Sequence, residues 1–487
     1  MIKINKQNIY YFLLAIILIL GFLLRLKGYL ANPSFWLDES ALGWNILNRR
    51  YIELFDKLRF LQISPPLFLI FSKFLVYITD SYHHIYRCDI VLRLMPFIFG
   101  NLSMVMFYFV CKKLIENKWA ILAGLAFVAL NPVLINYSFE FKPYSLDVFA
   151  SLLVMWIFLN INFKTITLKK IFLFSLILAI LPWFSFGCVF AIIAGFLTLS
   201  FKKENPRLFT SLLALPVVSG FVYLNLFIIN SYTQNSKGMF GYWHKSFINP
   251  DFSNVYEILK ETISYFFINI PNFPVIIAII CAITGFTMFC KKSEFTFIQI
   301  STLTFASTVL ASILKYYPFS TRMVLFLLPI LIILIIKSTS IKKCFISWFL
   351  IISLLIPHLL FAYHFFNSKN ISKNSYARNM MQILAVNIYP NYIIALNDTS
   401  NADFFYYNFF FRLKNKIEYI KPNHEKKETN ELLLSRLNKG KYVLFMSYDS
   451  NPAQKNIKEI RNWAYKNTTV LYDINSPQST LMWLILH

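Results

Sequence analysis

Residues 64–79 read SPPLFLIFSKFLVYIT, and the side of the membrane assigned to every later loop depends on how they are read. A crossing helix needs about 20 apolar residues. Counted as a crossing, this stretch would put the basic connector at Lys112 and Lys113 outside and invert each basic connector after it. Laid along the outer interface, it leaves eleven crossings, at approximately 9–26, 90–111, 119–137, 143–162, 171–183, 184–200, 208–230, 272–290, 296–314, 320–336 and 344–366. Lys3 and Lys6, Lys112, Lys113 and Lys118, Lys164, Lys169 and Lys170 then fall on the cytoplasmic side. Lys202, Lys203, Arg207, Lys291, Lys292, Lys337, Lys342 and Lys343 do the same, as the positive-inside rule requires. The N-terminus is cytoplasmic on this reading, and 27–89, 231–271, 315–319 and the tail from 367 face outward. Residues 171–201 are too long for one helix and are split at Pro182.

Composition agrees. The 487 residues are 57% hydrophobic and only 14% charged, where a soluble domain carries about a quarter charged residues. The mean hydropathy is +0.55 and the pI about 9.6. A net charge of +24 would point to nucleic acid in a soluble chain; here the short cytoplasmic connectors account for it. The basic start and apolar run lack a small-residue cleavage site, so the first crossing reads as uncleaved. Six cysteines without a CxxC pattern indicate neither a disulfide framework nor a zinc site. The adjacent His83 and His84 cannot readily face one ion.

From about residue 367 the pattern changes. Short β-patterned runs (YIIALND, KYVLFMSYD, TTVLYDIN) alternate with helical ones (ETNELLLSRL, NPAQKNIKEIRNWAYKN), which predicts a small α/β unit. The expected division is therefore a membrane domain at 1–366, with interfacial helices in its outer loop 27–89, and an extracytoplasmic α/β domain at 367–487, hinged at 367–375.

The ionisable residues that break the apolar pattern gather at one surface. Asp38 and Glu39 follow the first crossing in FWLDESALGWNILNRR. Glu140, Lys142 and Tyr144 lie in NYSFEFKPYSLD, and Arg87, Asp89 and Arg93 lie in RCDIVLR. Arg322 closes KYYPFSTR. Arg25, Lys27 and Arg93 sit at outer helix ends against the positive-inside trend, where anionic head groups would suit them. Carboxylates beside cations at a membrane surface suit a reaction with an anionic lipid. A sugar on polyprenyl phosphate already carries a good leaving group. The reaction then needs a base for the acceptor and cations for the charge building on the departing phosphate.

The arrangement of Arg25, Asp38 and Glu39 after the first crossing, Ser64-Pro65-Pro66-Leu67, Leu92-Arg93-Leu94-Met95-Pro96 with Gly100, and Tyr137-Ser138-Phe139-Glu140-Phe141-Lys142-Pro143-Tyr144 resembles the GT-C class of polyprenyl-phosphate-sugar glycosyltransferases. This is the superfamily of protein O-mannosyltransferases and lipid A aminoarabinose transferase. The motifs cover roughly residues 20–150; beyond them the span pattern, Arg322 and the external tail agree. The resemblance implies a GT-C-like fold in a bacterial cytoplasmic membrane. It also implies an inverting transfer from polyprenyl (undecaprenyl) phosphate to a glycan, lipid or protein acceptor at the outer face. Asp38, with Glu39 beside it, would be the base and Glu140 the second acidic residue. Arg25, Arg93, Lys142, Tyr144 and Arg322 would bind substrate. Lys142 stands where many relatives carry Arg, and Ile63-Ser64 where some carry His. No cofactor is called for, although acidic residues can also take a divalent cation.

Each residue has a plainer reading. Asp38 can cap a helix beginning near Ser40, Glu140 and Lys142 can form an interfacial ion pair, and Arg322 can snorkel. Three other functions fit membrane proteins of this size. A flippase or transporter would show internal repeats and midplane charges, an O-antigen polymerase or ligase a large late outer loop, and a non-catalytic glycan-assembly partner a working tail.

Overall fold

The computed structural model describes residues 6–202, 205–225, 241, 243–267, 273–290, 295–340, 345–368, 371, 376–397, 400–420, 434, 437–447, 453–476 and 479–486. A long first helix, α1 (Lys6–Ala31), leads into three short ones, α2 (Leu37–Asn48), α3 (Pro66–Ile78) and α4 (Ile85–Leu92). The bundle continues through α5 (Leu94–Leu114), α6 (Lys118–Leu130), α7 (Pro132–Tyr137), α8 (Tyr144–Asn160), α9 (Leu168–Ile180), α10 (Cys188–Lys202) and α11 (Pro206–Tyr223). After α12 (Val255–Phe266) come α13 (Phe273–Cys290), α14 (Phe295–Ile313), α15 (Leu328–Lys337) and α16 (Phe345–Asn367). Among the described residues, four helices are long and apolar enough to cross a membrane: α1, the α4–α5 run, α11 and α14. Of the other expected crossings, all but 171–183 fall on shorter apolar stretches of helix among the described residues; 171–183 falls on α9.

The 64–79 stretch forms α3, whose 13 residues reach about 20 Å at 1.5 Å per residue, short of a hydrocarbon core of about 30 Å. Its Phe68, Leu69, Ser72 and Val76 are buried, while Phe71, Phe74, Tyr77 and Ile78 lie on the exposed side. That two-sidedness is what an interfacial helix needs.

Two expected crossings are broken for local reasons, and the expected split at Pro182 has one as well. The 119–137 stretch stops at Asn131, whose side-chain oxygen accepts from the Val133 and Leu134 amides at 3.0 and 3.1 Å. Pro132, with no amide hydrogen, then starts α7. The 171–201 stretch parts at a 3₁₀ turn, Leu181–Trp183, that contains Pro182. There Asp147 accepts from Ser185 Oγ at 2.6 Å and from the Gly187 amide at 3.1 Å. In the 320–336 stretch the helix begins only after a 3₁₀ turn at Leu325–Leu327, leaving Arg322 in the preceding turn.

The tail adds α17 (Ala377–Asn387), α18 (Asn401–Phe411) and α19 (Ala453–Asn467) to a five-stranded sheet. Its strands are β1 (Ile393–Asn397), β2 (Ile417–Ile420), β3 (Gly440–Ser447), β4 (Thr469–Ser476) and β5 (Ser479–Leu486), in the order β2-β1-β3-β5-β4. β1 runs parallel to β2 and β3, and β5 is antiparallel to β3 and β4. The expected hinge and the ETNELLLSRL run lie mostly outside the described residues.

Side-chain alternation along the strands divides the sheet into two faces. Tyr442, Leu444, Met446, Met482 and Leu484 pack with Ile460, Trp463 and Ala464 of α19. Val443, Phe445, Leu481 and Trp483 face the other way, into one hydrophobic core with Phe35, Leu42 and Ile46, Phe68 and Leu69, and Leu92. The tail therefore shares its larger core with the 35–95 loop. A tail with its own core was the expectation; this second face packs on α17 and α18, which join it to the core of the 35–95 loop.

Candidate functional site

Asp38 and Glu39 both lie in the first turn of α2 but are put to different uses. Glu39 points inward and is fully buried with Arg93, to which it binds through both oxygens at 2.7 and 2.8 Å. One Glu39 oxygen also accepts the Phe141 amide at 2.7 Å, and the other accepts the Trp36 amide at 3.4 Å. Arg93 completes its bonds on Pro33 O at 2.6 Å and Asn32 Oδ1 at 3.2 Å, over the face of Phe35. Glu39 and Arg93 thus brace the loops and have no open surface for a substrate. This corrects the expectation of Glu39 as a second base and of Arg93 as a phosphate ligand. It also assigns the capping of α2 to Glu39 and not to Asp38.

Asp38 is mostly buried but keeps 18% of its side chain exposed. Its Oδ2 is 3.3 Å from the Arg322 guanidinium and 3.6 Å from Lys142 Nζ. Its Oδ1 accepts from Gln62 Nε2 at 3.3 Å, and Gln62 Oε1 accepts from Lys142 Nζ at 2.8 Å. One neutral amide therefore ties the carboxylate to the ammonium. Burial pushes the Asp38 carboxyl up, but the charges of Lys142 and Arg322, with the Gln62 amide, outweigh it and hold Asp38 below the ordinary carboxylate value. Burial pulls the Lys142 ammonium down; Asp38 opposes that shift and Arg322 adds to it, leaving Lys142 below the ordinary lysine value.

The surrounding side chains complete a polar cleft. The Arg322 guanidinium lies between the indoles of Trp36 and Trp243, at 5.2 Å from each ring centre, close enough for cation–π attraction. Glu140 is buried near enough for its charge to act on Lys142 and Arg322. Tyr144 reaches Met323 beside Arg322, with its hydroxyl 3.9 Å from the sulfur. Tyr137 stacks edge-on to Tyr144 and hydrogen-bonds Tyr265 of α12 at 2.7 Å. Among the described residues no group of three or more His, Cys, Asp or Glu side chains is assembled. The surroundings of Asp38 are cationic, a donor set that favours an anion over a divalent metal.

Arg25 lies elsewhere. It is buried and donates to Gly21 O at 3.0 Å, Ala129 O at 2.9 Å and Val128 O at 2.9 Å, satisfying carbonyls at the C-terminal end of α6. Its expected phosphate contact is corrected accordingly. Lys27 does the same for α16, donating to Phe366 O and, at 2.7 Å, to Ser368 O. Arg25, Lys27 and Arg93, the departures from the positive-inside pattern, thus have internal partners in place of lipid head groups. Gln62, Trp36 and the Tyr137–Tyr265 pair were not singled out in the sequence. The one available signal was Gln62's place just ahead of the paired prolines.

The fold and this charged cluster define a helical membrane protein whose short outer helices share a core with a C-terminal sheet. No family model matches the sequence, and no curated protein matches it. Solved structures do share the architecture. ArnT from Cupriavidus metallidurans aligns over 98% of both chains at 10% identity, with a TM-score of 0.55 in the apo state and 0.54 in the form bound to undecaprenyl phosphate. The oligosaccharyltransferase AglB from Archaeoglobus fulgidus, in complex with an inhibitory peptide and a dolichol-phosphate, aligns over 97% of this chain and 74% of its own at 11% identity and a TM-score of 0.50. The fold is that of these GT-C glycosyltransferases.

Proposed function

We propose that this protein is a membrane glycosyltransferase that moves one sugar from a polyprenyl phosphate, undecaprenyl in a bacterial membrane, to an acceptor at the outer face. The observation that carries the reading is the ionised Asp38 held against Lys142 and Arg322 in a partly open cleft. The GT-C fold supports it. The acceptor hydroxyl or amine attacks the anomeric carbon as Asp38 takes its proton. The bond from that carbon to the phosphate oxygen breaks, and polyprenyl phosphate leaves with the electron pair. Attack opposite the leaving phosphate inverts the anomeric centre. Lys142 and Arg322 neutralise the departing phosphate; Lys142, a point charge, orients it less rigidly than an arginine fork. Glu140 and Tyr144 line the side on which acceptor or sugar would lie.

The reading carries a topology with it: eleven crossings, a cytoplasmic N-terminus, and the 27–89 loop and tail on the outer side. The flippase and polymerase readings draw no support from the cleft, because its ionisable groups gather at one end of the bundle.

The test is a transfer assay on protein in nanodiscs, with a panel of radiolabelled polyprenyl-phosphate sugars and native membrane extract as acceptor. Wild type is expected to release label from one donor, and Asp38→Asn to slow that release about 10²–10⁴-fold. Release from no donor would sink the proposal.

A further inference from the structure

Asp38 lies against the two cations that the proposed function assigns to the donor phosphate. Its Oδ2 faces both cations of the cleft, Arg322 at 3.3 Å and Lys142 at 3.6 Å. The other charged groups nearby leave this arrangement intact. Glu39, next to it on α2, is taken up by Arg93, and Glu140 adds negative charge around Lys142 and Arg322 without displacing Asp38. The Gln62 amide, on the loop before α3, donates to Oδ1 and accepts from Lys142. The two cations are thus partnered by a carboxylate of the chain itself.

We infer that Asp38 is an internal stand-in for the donor phosphate: the bound phosphate takes Lys142 and Arg322 from Asp38, and only then does the carboxylate become a competent base. The inference rests on the function proposed above and adds an order of events to it. With both cations against it, Asp38 is a poor proton acceptor, because every favourable contact it makes is to its charged form. A phosphate placed between the cations carries at least one negative charge and more acceptor oxygens, so it competes well for them. Once they turn to the phosphate, Asp38 keeps only the Gln62 amide, and its affinity for a proton rises. The base is therefore weak before the donor binds and strong beside a bound donor, which ties proton abstraction to the presence of something to transfer.

The arrangement makes a counter-intuitive expectation. Removing the catalytic carboxylate strengthens donor binding while abolishing transfer, since the cations lose their internal competitor. Equilibrium binding of undecaprenyl phosphate to nanodisc-embedded protein measures it. Asp38→Asn and Asp38→Ala are each expected to bind about tenfold more tightly than wild type. Lys142→Gln is expected to bind more weakly. Gln62→Glu, which adds a second carboxylate against the same ammonium, is also expected to bind more weakly and gives a reading in the opposite direction on a surface loop. If the Asp38 variants bind no more tightly while Lys142→Gln weakens binding, the competition is refuted and the phosphate site stands. If neither wild type nor Asp38→Asn binds the lipid, both the competition and the proposed function fall.

Discussion

Gln62 holds a carboxylate and an ammonium at once, and the backbone that presents it is unusual. Phe60 and Leu61, just before it, both have positive φ, 59° and 53°, a region that costs a non-glycine residue of order 1 kcal/mol or more. The loop is held there by α2: Asn45 bonds the Arg59 amide and carbonyl at 3.0 and 3.3 Å, and Trp44 packs edge-on to Phe60. Gln62→Ala is expected to slow transfer about tenfold and to leave the thermal midpoint unchanged, because the side chain orients charge and fills no core. Glu39→Gln should behave in the opposite way. It takes from buried Arg93 the carboxylate that binds it through both oxygens, and removing one partner of such a pair costs about 3–5 kcal/mol; a large drop in the melting midpoint in detergent micelles would register it. The low-lying Lys142 ammonium also sets a pH dependence. The protonated form holds phosphate, so kcat/KM is expected to fall as pH rises through its depressed value in the free enzyme. A bound phosphate stabilises the ammonium, so the same limb in kcat is expected at higher pH. Coincident limbs would mean that Lys142 does not touch the donor.

The short helices and the tail are joined through one buried carboxylate. Asp89 of α4 receives Arg378 of α17 at 2.7 Å, Tyr406 at 2.6 Å and Tyr407 at 3.4 Å, both tyrosines from α18. Arg378 also reaches Asn32 O at 2.6 Å, and the Phe35 amide donates to the Tyr407 hydroxyl at 2.8 Å. The ring of Tyr406 stacks on Phe35, which continues through Phe141 to Phe68. α18 can lie this close to α2 because residue 43 is glycine: a Cβ there would come within 2.5 Å of the Tyr406 ring. That ring is fixed by stacking and by its bond to Asp89, so it cannot swing aside cheaply. Gly43→Ala is therefore expected to destabilise the protein by about 1–3 kcal/mol, read as a lower melting midpoint. Since α2 carries Asp38, transfer should fall with it.

For the molecule as a whole, the shared core ties the tail to the loop that carries Asp38. Removing residues after 371 would expose Leu42, Ile46, Phe68 and Leu92, which now pack with Tyr406, Val443 and Trp483. Such a truncation is expected to aggregate or to be inactive in nanodiscs, and a truncated protein with wild-type transfer would contradict this account. A tail that worked only as an independent acceptor-binding module would be dispensable for donor binding; here its loss should abolish undecaprenyl phosphate binding as well.

Hydropathy and charge placement, both local properties of the chain, were enough to locate the apolar helices, to set α3 apart from the crossings by the basic connectors that follow it, and to find β1, β3, β4 and α19. They also put Asp38, Glu140, Lys142, Tyr144 and Arg322 forward together, because ionisable groups among apolar residues are costly and therefore conspicuous. Two strands escaped notice: β2 is only four residues long, and the continuous apolar run of β5 has no period to distinguish it from a buried helix. Tertiary structure alone decided the rest. Successive residues on a helix point about 100° apart, so neighbours as alike as Asp38 and Glu39 were separated by what packs against each face of α2, one towards the cleft and one towards Arg93. Arg25 and Lys27 found carbonyls more than 100 residues away in sequence, and α18 of the tail found its seat on α2. Those partners are distant in the chain, and no local pattern encodes them.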